Sequence, residues 1–437
     1  MKKSGIEDAA PVCAPTSGNP LIERSDRRSF LARGAAISAG LVAGGASVAA
    51  RAADTSSPAV PIWSRTPGTP MRAYGTPSRY EEPVKRVLTP GYPKVSPGTG
   101  SSLTPLQTLE GTITPSGLHF ERHHSGVPDI DPAQHRLLIH GLVRRPLSFS
   151  PQALARYPMT SRVCFVECAG NSARNTGPEP LQVTCGTLHG LVSCSEWSGV
   201  PLAMLLEEAG VDSSAQWLLA EGADSASMSR SVPLDKALDD AMIALYQNGE
   251  RIRPEQGYPM RLLLPGWEGN MNVKWLRQLK LTAGPMHTKD ETSKYSDLMP
   301  DGKSQQFTFV LGVKSTITRP SFGITMEGAG LYEISGIAWS GAGRIARVEV
   351  STDGGASWKD ARLQGPVLSK SVTRFRLPWD WSGAPALLQS RAIDEKGNVQ
   401  PDRKTWTAQY SAAHRYHNNA IQTWRVQADG SIGNVYI

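Results

Sequence analysis

The sequence has few cysteines, no cluster of basic residues and no apolar run long enough to cross a membrane. Its 437 residues include five cysteines, none of which stands in a Cys-x-x-Cys-His haem attachment motif, so no covalently bound haem is expected in this chain. The weakly apolar stretch at residues 35–50 would span about 24 Å as a helix, short of a hydrocarbon core of about 30 Å. Basic residues are not interleaved with aromatic ones as in nucleic-acid binding proteins. We therefore expect neither a membrane span nor a nucleic-acid partner.

Glycine and proline are abundant, with 42 and 33 residues. They follow no short period, so they indicate many turns and extended connections rather than a collagen-like fibre. With 39% hydrophobic residues the chain can form a packed core, and its length favours two domains. This composition predicts a β-rich globular protein and excludes a disordered chain or a small disulfide scaffold.

Residues 1–52 are typical of an export signal. Asp26-Arg27-Arg28-Ser29-Phe30-Leu31 precedes the weakly apolar stretch, which ends in the small-residue series Ala50-Arg51-Ala52-Ala53. An N-terminal transmembrane anchor is the alternative, and the shortness of the stretch argues against it. We expect export of an already folded protein to the periplasm through the twin-arginine pathway, a route that suits a protein whose cofactor is inserted in the cytoplasm.

The next two regions differ in composition. Residues 53–110 contain ten prolines, which predict an extended strap without a regular strand ladder, the alternative being a mobile linker. Residues 111–300 combine strand patterns at 136–142 and 163–166 with a helix pattern at 201–209. This second region is therefore predicted to be a mixed α+β domain.

Residues 301–437 have an all-β pattern. Short strand-like runs are separated by turn signals and lie at 331–339, 345–351, 371–377 and 386–393. Their spacing predicts an immunoglobulin-like β-sandwich without a disulfide between its sheets. The predicted fold class is α+β, with the mixed domain followed by this all-β domain.

The cysteines allow several kinds of site. Cys13 belongs to the export signal, and the spacing of Cys164, Cys168, Cys185 and Cys194 does not match the Cys-x-x-Cys pairs of zinc or iron–sulfur sites. A disulfide between Cys185 and Cys194 could form in an oxidising compartment, although folding before export argues against dependence on it. Cys168 follows an apolar strand where the chain turns out of the sheet, which is a ligand position for a thiolate. A buried structural cysteine is the alternative for Cys168.

Residues 168–171 read Cys-Ala-Gly-Asn and resemble the turn that supplies the single protein ligand to molybdenum in the sulfite oxidase family. Further segments resemble this family in the same order along the chain; they lie at 120–128, 257–266, 269–276 and 315–320. The resemblance covers residues 110–425 and implies a molybdopterin-binding catalytic domain followed by an immunoglobulin-like dimerisation domain. It also implies molybdenum and molybdopterin as cofactors, with Cys168 as the metal ligand.

The resemblance also implies roles for single side chains. Arg122 would neutralise a sulfur oxyanion, and Tyr295 would donate a hydrogen bond to a reacting oxygen, which makes both catalytic with Cys168. The residues implied to bind the cofactor are Phe120, Arg122, His123, His124, Cys168, Asp224, Arg261, Gly269 and Lys274. Arg261 and Lys274 would hold the pterin phosphate with N–H groups of the glycine-rich turn at 266–270. Trp197 would line the substrate pocket, with a core indole as the alternative.

Two departures from the family pattern bear on the substrate. Sulfite oxidases have a histidine where this chain has Gln256, and a further arginine where residues 407–409 read Thr-Ala-Gln. Less positive charge makes doubly charged free sulfite a less obvious ligand. Three segments look instead like the periplasmic sulfane dehydrogenases of the family; they lie at 167–172, 197–202 and 417–424.

This likeness implies oxidation, by oxygen-atom transfer, of sulfane sulfur bound to a cysteine of a carrier protein. Because the sequence has no haem motif, the electrons must pass to another protein, which the likeness implies is a dihaem cytochrome c subunit. It further implies a homodimer of this chain within a heterotetramer. Two alternatives stay open: a sulfite dehydrogenase with the same cofactor, and a non-enzymatic periplasmic binding protein.

Overall fold

The computed structural model describes residues 61–90, 97–411 and 414–437. Contacts divide the chain into two units, Met1–Thr76 and Pro77–Ile437. In the described part of the first unit, the regular element is a 3-10 turn at Ile62–Ser64. The export signal predicted at 1–52 lies outside the described residues and stays a prediction. No helix in the described ranges is both long and apolar enough to cross a bilayer.

A small antiparallel sheet forms where the proline pattern predicted no ladder. Its strands are β1 (Val87–Pro90), β2 (Gly100–Leu103) and β3 (Glu121–His123), with β2 in the middle. The expectation that the prolines of residues 53–110 exclude a ladder was wrong, because Pro90 is the last residue of β1 and Pro105 follows β2. At a strand end the missing N–H removes no central ladder bond. The sheet places Arg122 opposite Ser101.

Two five-stranded sheets follow. The first contains β4 (Leu137–Gly141), β5 (Leu147–Phe149), β8 (Trp217–Gly222), β9 (Ser229–Pro233) and β13 (Leu276–Thr282), in the order β5-β4-β13-β8-β9. The second contains β6 (Thr160–Glu167), β7 (Val192–Pro201), β10 (Met242–Gln247), β11 (Glu250–Arg251) and β12 (Arg261–Leu263). All pairs are antiparallel except β4 with β13. The strands predicted at 136–142 and 163–166 are confirmed as β4 and as the inner half of β6.

Short helices connect these strands. In the described residues they are α1 (Pro151–Leu154), α2 (Cys185–His189), α3 (Leu202–Ala209), α4 (Leu234–Asp239), α5 (Lys289–Thr292) and α6 (Arg403–Gln409). Helix α3 confirms the helix predicted at 201–209, and Gly210 ends it with a left-handed backbone (φ 69°). Leu205 of α3 packs in one core with Ile139 of β4 and Ile243 of β10. The two sheets therefore share a hydrophobic core with α3.

A β-sandwich follows the hairpin of β14 (Asp297–Leu298) and β15 (Ser304–Gln305). One sheet contains β16 (Lys314–Arg319), β17 (Gly330–Trp339), β20 (Arg362–Leu363) and β21 (Thr373–Trp381). The other contains β18 (Ile345–Ser351), β19 (Lys359–Asp360), β22 (Ala386–Asp394), β23 (Thr423–Val426) and β24 (Ile432–Val435). The four predicted strands are confirmed as β17, β18, β21 and β22, although β21 begins and ends later than predicted. The α+β fold class is confirmed; the boundaries at 110 and 300 stay predictions.

The sandwich packs against the strand that leads to Cys168. Its core contains the buried side chains of Trp339, Trp424 and Phe375, and the same cluster includes Phe165 of β6. The ring centroids of Phe165 and Trp339 are 6.4 Å apart. Because interiors are close-packed, this contact fixes the end of β6 and the start of the loop that follows it.

Candidate active site

A cavity of about 670 Å³ opens at the end of β6. It is lined by every residue that the resemblance implied for cofactor binding: Phe120, Arg122, His123, His124, Cys168, Asp224, Arg261, Gly269 and Lys274. Tyr295 lines the same cavity. These residues come from β3 and the positions next to it, from β12 and the loop after it, and from the loops after β6, β8 and α5, so the tertiary fold assembles them.

Cys168 begins the loop after β6 and faces the cavity. Its N–H donates to Leu191 O (2.9 Å), and its carbonyl accepts from the Asn171 N–H (2.8 Å), which closes the turn. Burial raises the pKa of the Cys168 thiol, and the charge of Arg122 opposes this shift. A metal ion that binds the sulfur removes the thiol proton, so the position suits a metal–thiolate bond.

Residues of the β-sandwich hold the loop on both sides of the thiol. Glu167 accepts hydrogen bonds from Trp339 Nε1 (2.7 Å) and Asn171 Nδ2 (2.8 Å). Lys314 Nζ lies 3.3 Å from Glu167 Oε1 and donates to Ser172 Oγ at 2.7 Å. Because these groups are buried, their hydrogen bonds are strong and specific, and they fix the loop.

Gly269 lies where the turn before β13 passes against the backbone at Cys168. A Cβ added at Gly269 would lie 2.8 Å from Glu167 O and 3.2 Å from Cys168 N, so the two turns would have to separate. We expect Gly269→Ala to lower the molybdopterin retained by the purified protein about tenfold, since the groups around a metal site position its ligands. Cofactor content and melting temperature are the measurements.

The control for this change is Gly284→Ala. A Cβ added at Gly284 would meet no atom within 4 Å, so the same substitution should leave cofactor content unchanged. Equal cofactor content in the two variants would contradict the close approach assigned to Gly269.

Three basic side chains meet in the cavity without a carboxylate partner. Within the described residues, Arg122, Arg261 and Lys274 form no ion pair, and Arg261 donates instead to Gln256 O (3.0 Å) and Asn272 O (2.9 Å). Burial lowers the pKa of Arg261 to about 10. Burial and the neighbouring Arg261 lower the pKa of Lys274 well below its usual value. Positive charge held in this way favours a bound anion such as a phosphate.

A chain of polar groups connects Lys274 with the strap. Lys274 Nζ lies 2.8 Å from His123 Nδ1, and His123 Nε2 lies 2.7 Å from Glu121 Oε2. Glu121 in turn pairs with Arg86, the residue before β1. Burial works against ionisation of Glu121, but His123 and Arg86 outweigh it and lower the pKa of this carboxyl. The strap therefore supports, through Arg86 and Glu121, a histidine that lines the cavity.

His124 and Tyr295 form a neutral pair at the cavity. Burial, assisted by the charge of Arg122, lowers the pKa of His124 to about 3. Its Nε2 lies 2.8 Å from Tyr295 OH. Burial raises the pKa of Tyr295, so the phenol keeps its proton. In its Nε2–H tautomer, His124 donates to the Tyr295 oxygen and leaves the phenol proton free for a ligand.

Trp197 does not line the cavity, and its place in a substrate pocket stays a prediction. It lies on β7, the strand between β10 and β6, and is fully buried. Its ring lies 5.0 Å from Arg261 Cζ and edge-on to His119. A side chain on the inner face of a central strand is covered by its neighbours. In this structure the indole is a core side chain that packs against Arg261.

Some cavity residues received no individual role from the sequence, although four of them lie in the family-like segment 269–276. These cavity residues are His119, Val166, Met228, Asn270, Asn272, Val273 and Trp275. His119 and Trp275 directly adjoin implied residues, and this adjacency is the signal that could have found them. Trp275 also has a left-handed backbone (φ 52°), which a non-glycine residue keeps only where its surroundings hold it, and which no sequence pattern shows.

Several buried polar atoms of the cavity have no hydrogen-bond partner in the part of the chain that the structure describes. They are His119 Nε2, Arg261 Nε and Asn270 Oδ1. Buried polar groups are nearly always satisfied, so unpaired ones around a cavity indicate a polar ligand. Together with the thiol and the unpaired basic side chains, they fit an anionic organic cofactor bound next to a metal.

The remaining described cysteines form no second metal centre. Cys164, Cys185 and Cys194 are buried and unpaired, so the disulfide considered between the last two is not formed. Cys185 Sγ lies 3.6 Å from Thr316 Oγ1, and Cys194 Sγ lies 3.4 Å from Ser371 Oγ. Among the described residues no cysteine belongs to a group that could hold a metal ion by itself.

Comparison with known protein families shows to which family the chain belongs. The family described as "Oxidoreductase molybdopterin binding domain" matches residues 124–289, and "Mo-co oxidoreductase dimerisation domain" matches residues 305–424. The sulfite oxidase of Gallus gallus is 30% identical over 67% of this chain and 69% of that protein. The chain therefore belongs to the sulfite oxidase family of molybdopterin oxidoreductases.

A solved structure resembles the chain more closely than these relatives. The sulfane dehydrogenase SoxCD from Paracoccus pantotrophus is 47% identical, with a TM-score of 0.84, over 87% of this chain and 98% of that chain. The nitrate reductase [NADH] of Ulva prolifera is 31% identical over 68% of this chain, and the mitochondrial sulfite oxidase of Mus musculus is 30% identical over 73%. The chain spans 39% and 63% of the lengths of these two relatives.

Proposed function

We propose that this protein is the molybdenum subunit of an exported sulfane dehydrogenase. It oxidises the terminal sulfane sulfur on a cysteine of a carrier protein by oxygen-atom transfer, and it passes the electrons to a cytochrome c subunit. The observation that carries the proposal is the cavity in which the thiol of Cys168 meets three basic side chains without carboxylate partners. The 47% identity with SoxCD supports the choice of sulfane sulfur.

The cavity residues fit molybdopterin. Cys168 would bind the molybdenum, and Arg261 and Lys274, with N–H groups of the turn at Gly269, would hold the pterin phosphate. Asp224, which accepts from Met228 N and Ser125 Oγ at 3.3 Å, would meet the pterin. When bound, the cofactor supplies a two-electron redox centre that transfers an oxygen atom.

The chain's own residues bind and orient the substrate. The guanidinium of Arg122 has neutral neighbours, with Thr99 Oγ1 and Gly100 O at 3.4 Å, so its charge is available to an anionic oxygen on sulfur. The Tyr295 hydroxyl donates a hydrogen bond to a substrate oxygen, and its hydrogen bond with His124 orients it. These residues stabilise the negative charge that grows on oxygen as sulfur is oxidised.

The distribution of charge supports sulfane sulfur over free sulfite. Gln256 is neutral and buried in the cavity wall, where its Nε2 donates to Phe120 O at 2.9 Å. Helix α6 exposes Thr407, Ala408 and Gln409 at the surface. A small dianion would therefore meet less positive charge than the sulfite oxidase pattern supplies. Family membership alone does not select the substrate, since sulfite oxidases and nitrate reductases match at nearly equal identity.

Location, electron acceptor and assembly belong to the same proposal. The twin-arginine pattern at 26–31 supports export of the folded protein to the periplasm. The lack of a haem attachment motif in the sequence supports electron transfer to a separate dihaem cytochrome c. The match of residues 305–424 to a dimerisation domain supports a homodimer within a heterotetramer.

The test is to purify the protein with its cytochrome from a molybdate-supplied host. We expect molybdenum and pterin in equal amounts, and reduction of the cytochrome on addition of a carrier protein loaded with thiosulfate. Free sulfite should give no turnover. Turnover of sulfite alone would make the protein a sulfite dehydrogenase, and protein without molybdenum would overturn both enzyme assignments.

A further inference from the structure

After α6, the chain places His417 behind the loop of Cys168. The His417 N–H donates to Ala169 O at 2.8 Å. Its ring Nδ1 lies 3.0 Å from Asp297 Oδ1, and its ring Nε2 lies 3.2 Å from Glu268 Oε1. One residue therefore contacts the loop after β6, the turn before β13 and the hairpin strand β14.

His417 supplies the positive charge between two buried carboxylates. Burial opposes a charged ring, but Asp297 and Glu268 outweigh it and raise the pKa of His417 to about 10. His417 in turn lowers the pKa of both carboxyl groups against the effect of burial. His414 lies 3.7 Å from Asp297 but does not replace this charge, because burial lowers its pKa. Arg230 also acts on Glu268, although it lies nearest Glu291 at 3.8 Å.

The loop of Cys168 depends on such hydrogen bonds for its position. A second cavity of about 220 Å³ lies behind it, and Cys168, Lys314 and His417 are among its lining residues. His417 also has a left-handed backbone (φ 52°), which costs about 1 kcal/mol or more and persists only where the surroundings determine it.

We propose that His417 is a positioning residue that connects the loop of Cys168 to Glu268 and Asp297 and so fixes the direction of the thiol. It acts through Ala169 and does not itself line the cavity of about 670 Å³. The inference rests on the proposed function only in taking Cys168 as the molybdenum ligand, and it holds for any sulfur substrate.

The test compares His417→Gln with His140→Gln in the holoenzyme. His140 lies on β4 and contacts Gln278, so the control makes the same change outside the cavity wall. We expect His417→Gln to keep its molybdenum, to change the electron paramagnetic resonance spectrum after one-electron reduction with dithionite, and to lower kcat per molybdenum about 10–100-fold at similar KM. The control should match the wild type. A His417→Gln spectrum and kcat equal to those of the control would overturn the proposal.

A double variant separates the effect of the charge of His417 from the effect of its shape. His417→Gln/Glu268→Gln removes one negative charge together with the positive one, so we expect several-fold recovery of kcat and a spectrum closer to the wild type. A double variant that performs no better than the single one, or that fails to fold, would overturn the charge role. If the single variant does not fold, the electron paramagnetic resonance spectrum of the double variant is compared with that of the wild type, and this comparison tests the charge role.

Metal analysis completes the test. Asp297, His414 and His417 lie close enough together to hold a metal ion, so the wild type is analysed for a second metal beside molybdenum. A stoichiometric second metal that His417→Gln loses would overturn the proposal, because the ring would then be a ligand. The molybdenum content of the wild type is measured before any variant is tested. A wild type without molybdenum would contradict the proposed function rather than the role of His417.

Discussion

Cys168→Ser should lower turnover by about a thousandfold or more while the protein still folds, as is typical when a group in contact with the reacting centre is removed. Serine has nearly the size of cysteine, but its hydroxyl is a poor ligand for a metal that selects soft thiolates. The hydrogen bonds that close the turn use the backbone of Cys168, Leu191 and Asn171, so the loop survives the substitution. The measurements are kcat per chain, molybdenum content and the melting temperature.

The matched control is Cys194→Ser. Cys194 is buried on β7 with its Sγ 3.4 Å from Ser371 Oγ, where a serine hydroxyl can form the same contact. We expect this variant to keep turnover per folded molecule. Full turnover of Cys168→Ser, or an equal loss in both variants, would contradict the assignment of Cys168 as the metal ligand.

Arg122→Gln should lower kcat/KM about 100-fold, the usual effect of removing one preorganised group that stabilises charge in the transition state. Glutamine keeps a hydrogen-bond donor but carries no charge, so the growing negative charge on the substrate oxygen loses its counter-ion. Arg122 forms no ion pair in the described residues, so its removal leaves no carboxylate uncompensated. Rates are expressed per bound molybdenum, which separates catalysis from cofactor loss.

Arg136→Gln is the control for this second change. Arg136 is exposed just before β4, and it donates to Ala133 O and His135 O at 2.7 Å, away from the cavity. Its substitution should leave kcat/KM unchanged. If Arg122→Gln and Arg136→Gln had the same kcat/KM, the charge of Arg122 would have no part in the reaction.

Local sequence patterns predicted the secondary structure correctly where neighbouring residues determine it. The spacing of Leu202, Leu205 and Leu206 predicted the buried face of α3, because residues three and four apart share one side of a helix. Gly210 predicted its end, because only glycine adopts the left-handed cap at little cost. The strand before Cys168 was likewise visible as a short apolar run bounded by a turn.

The sequence-based predictions differed from the structure where contacts with residues far along the chain determine the local structure. The prolines of the strap indicated no ladder, but Gly100–Leu103 lies between two partner strands and its own residues contain no proline. Trp197 matched a family segment, but the face of β7 that carries it is covered by its neighbours. Neither the pairing of a strand nor the covering of its face follows from local periodicity.

By itself the sequence indicated the candidate ligand and the segments of the candidate cofactor site: a cysteine at the end of an apolar strand, with basic residues in segments that follow in the family's order. Only the tertiary structure decided that Arg122, Arg261 and Lys274 share one cavity and form no ion pair with a described carboxylate, and that His417 lies between Glu268 and Asp297. The physical reason is that helix and strand periodicity act over a few residues, whereas burial and charge compensation depend on distances between segments that are remote in the chain.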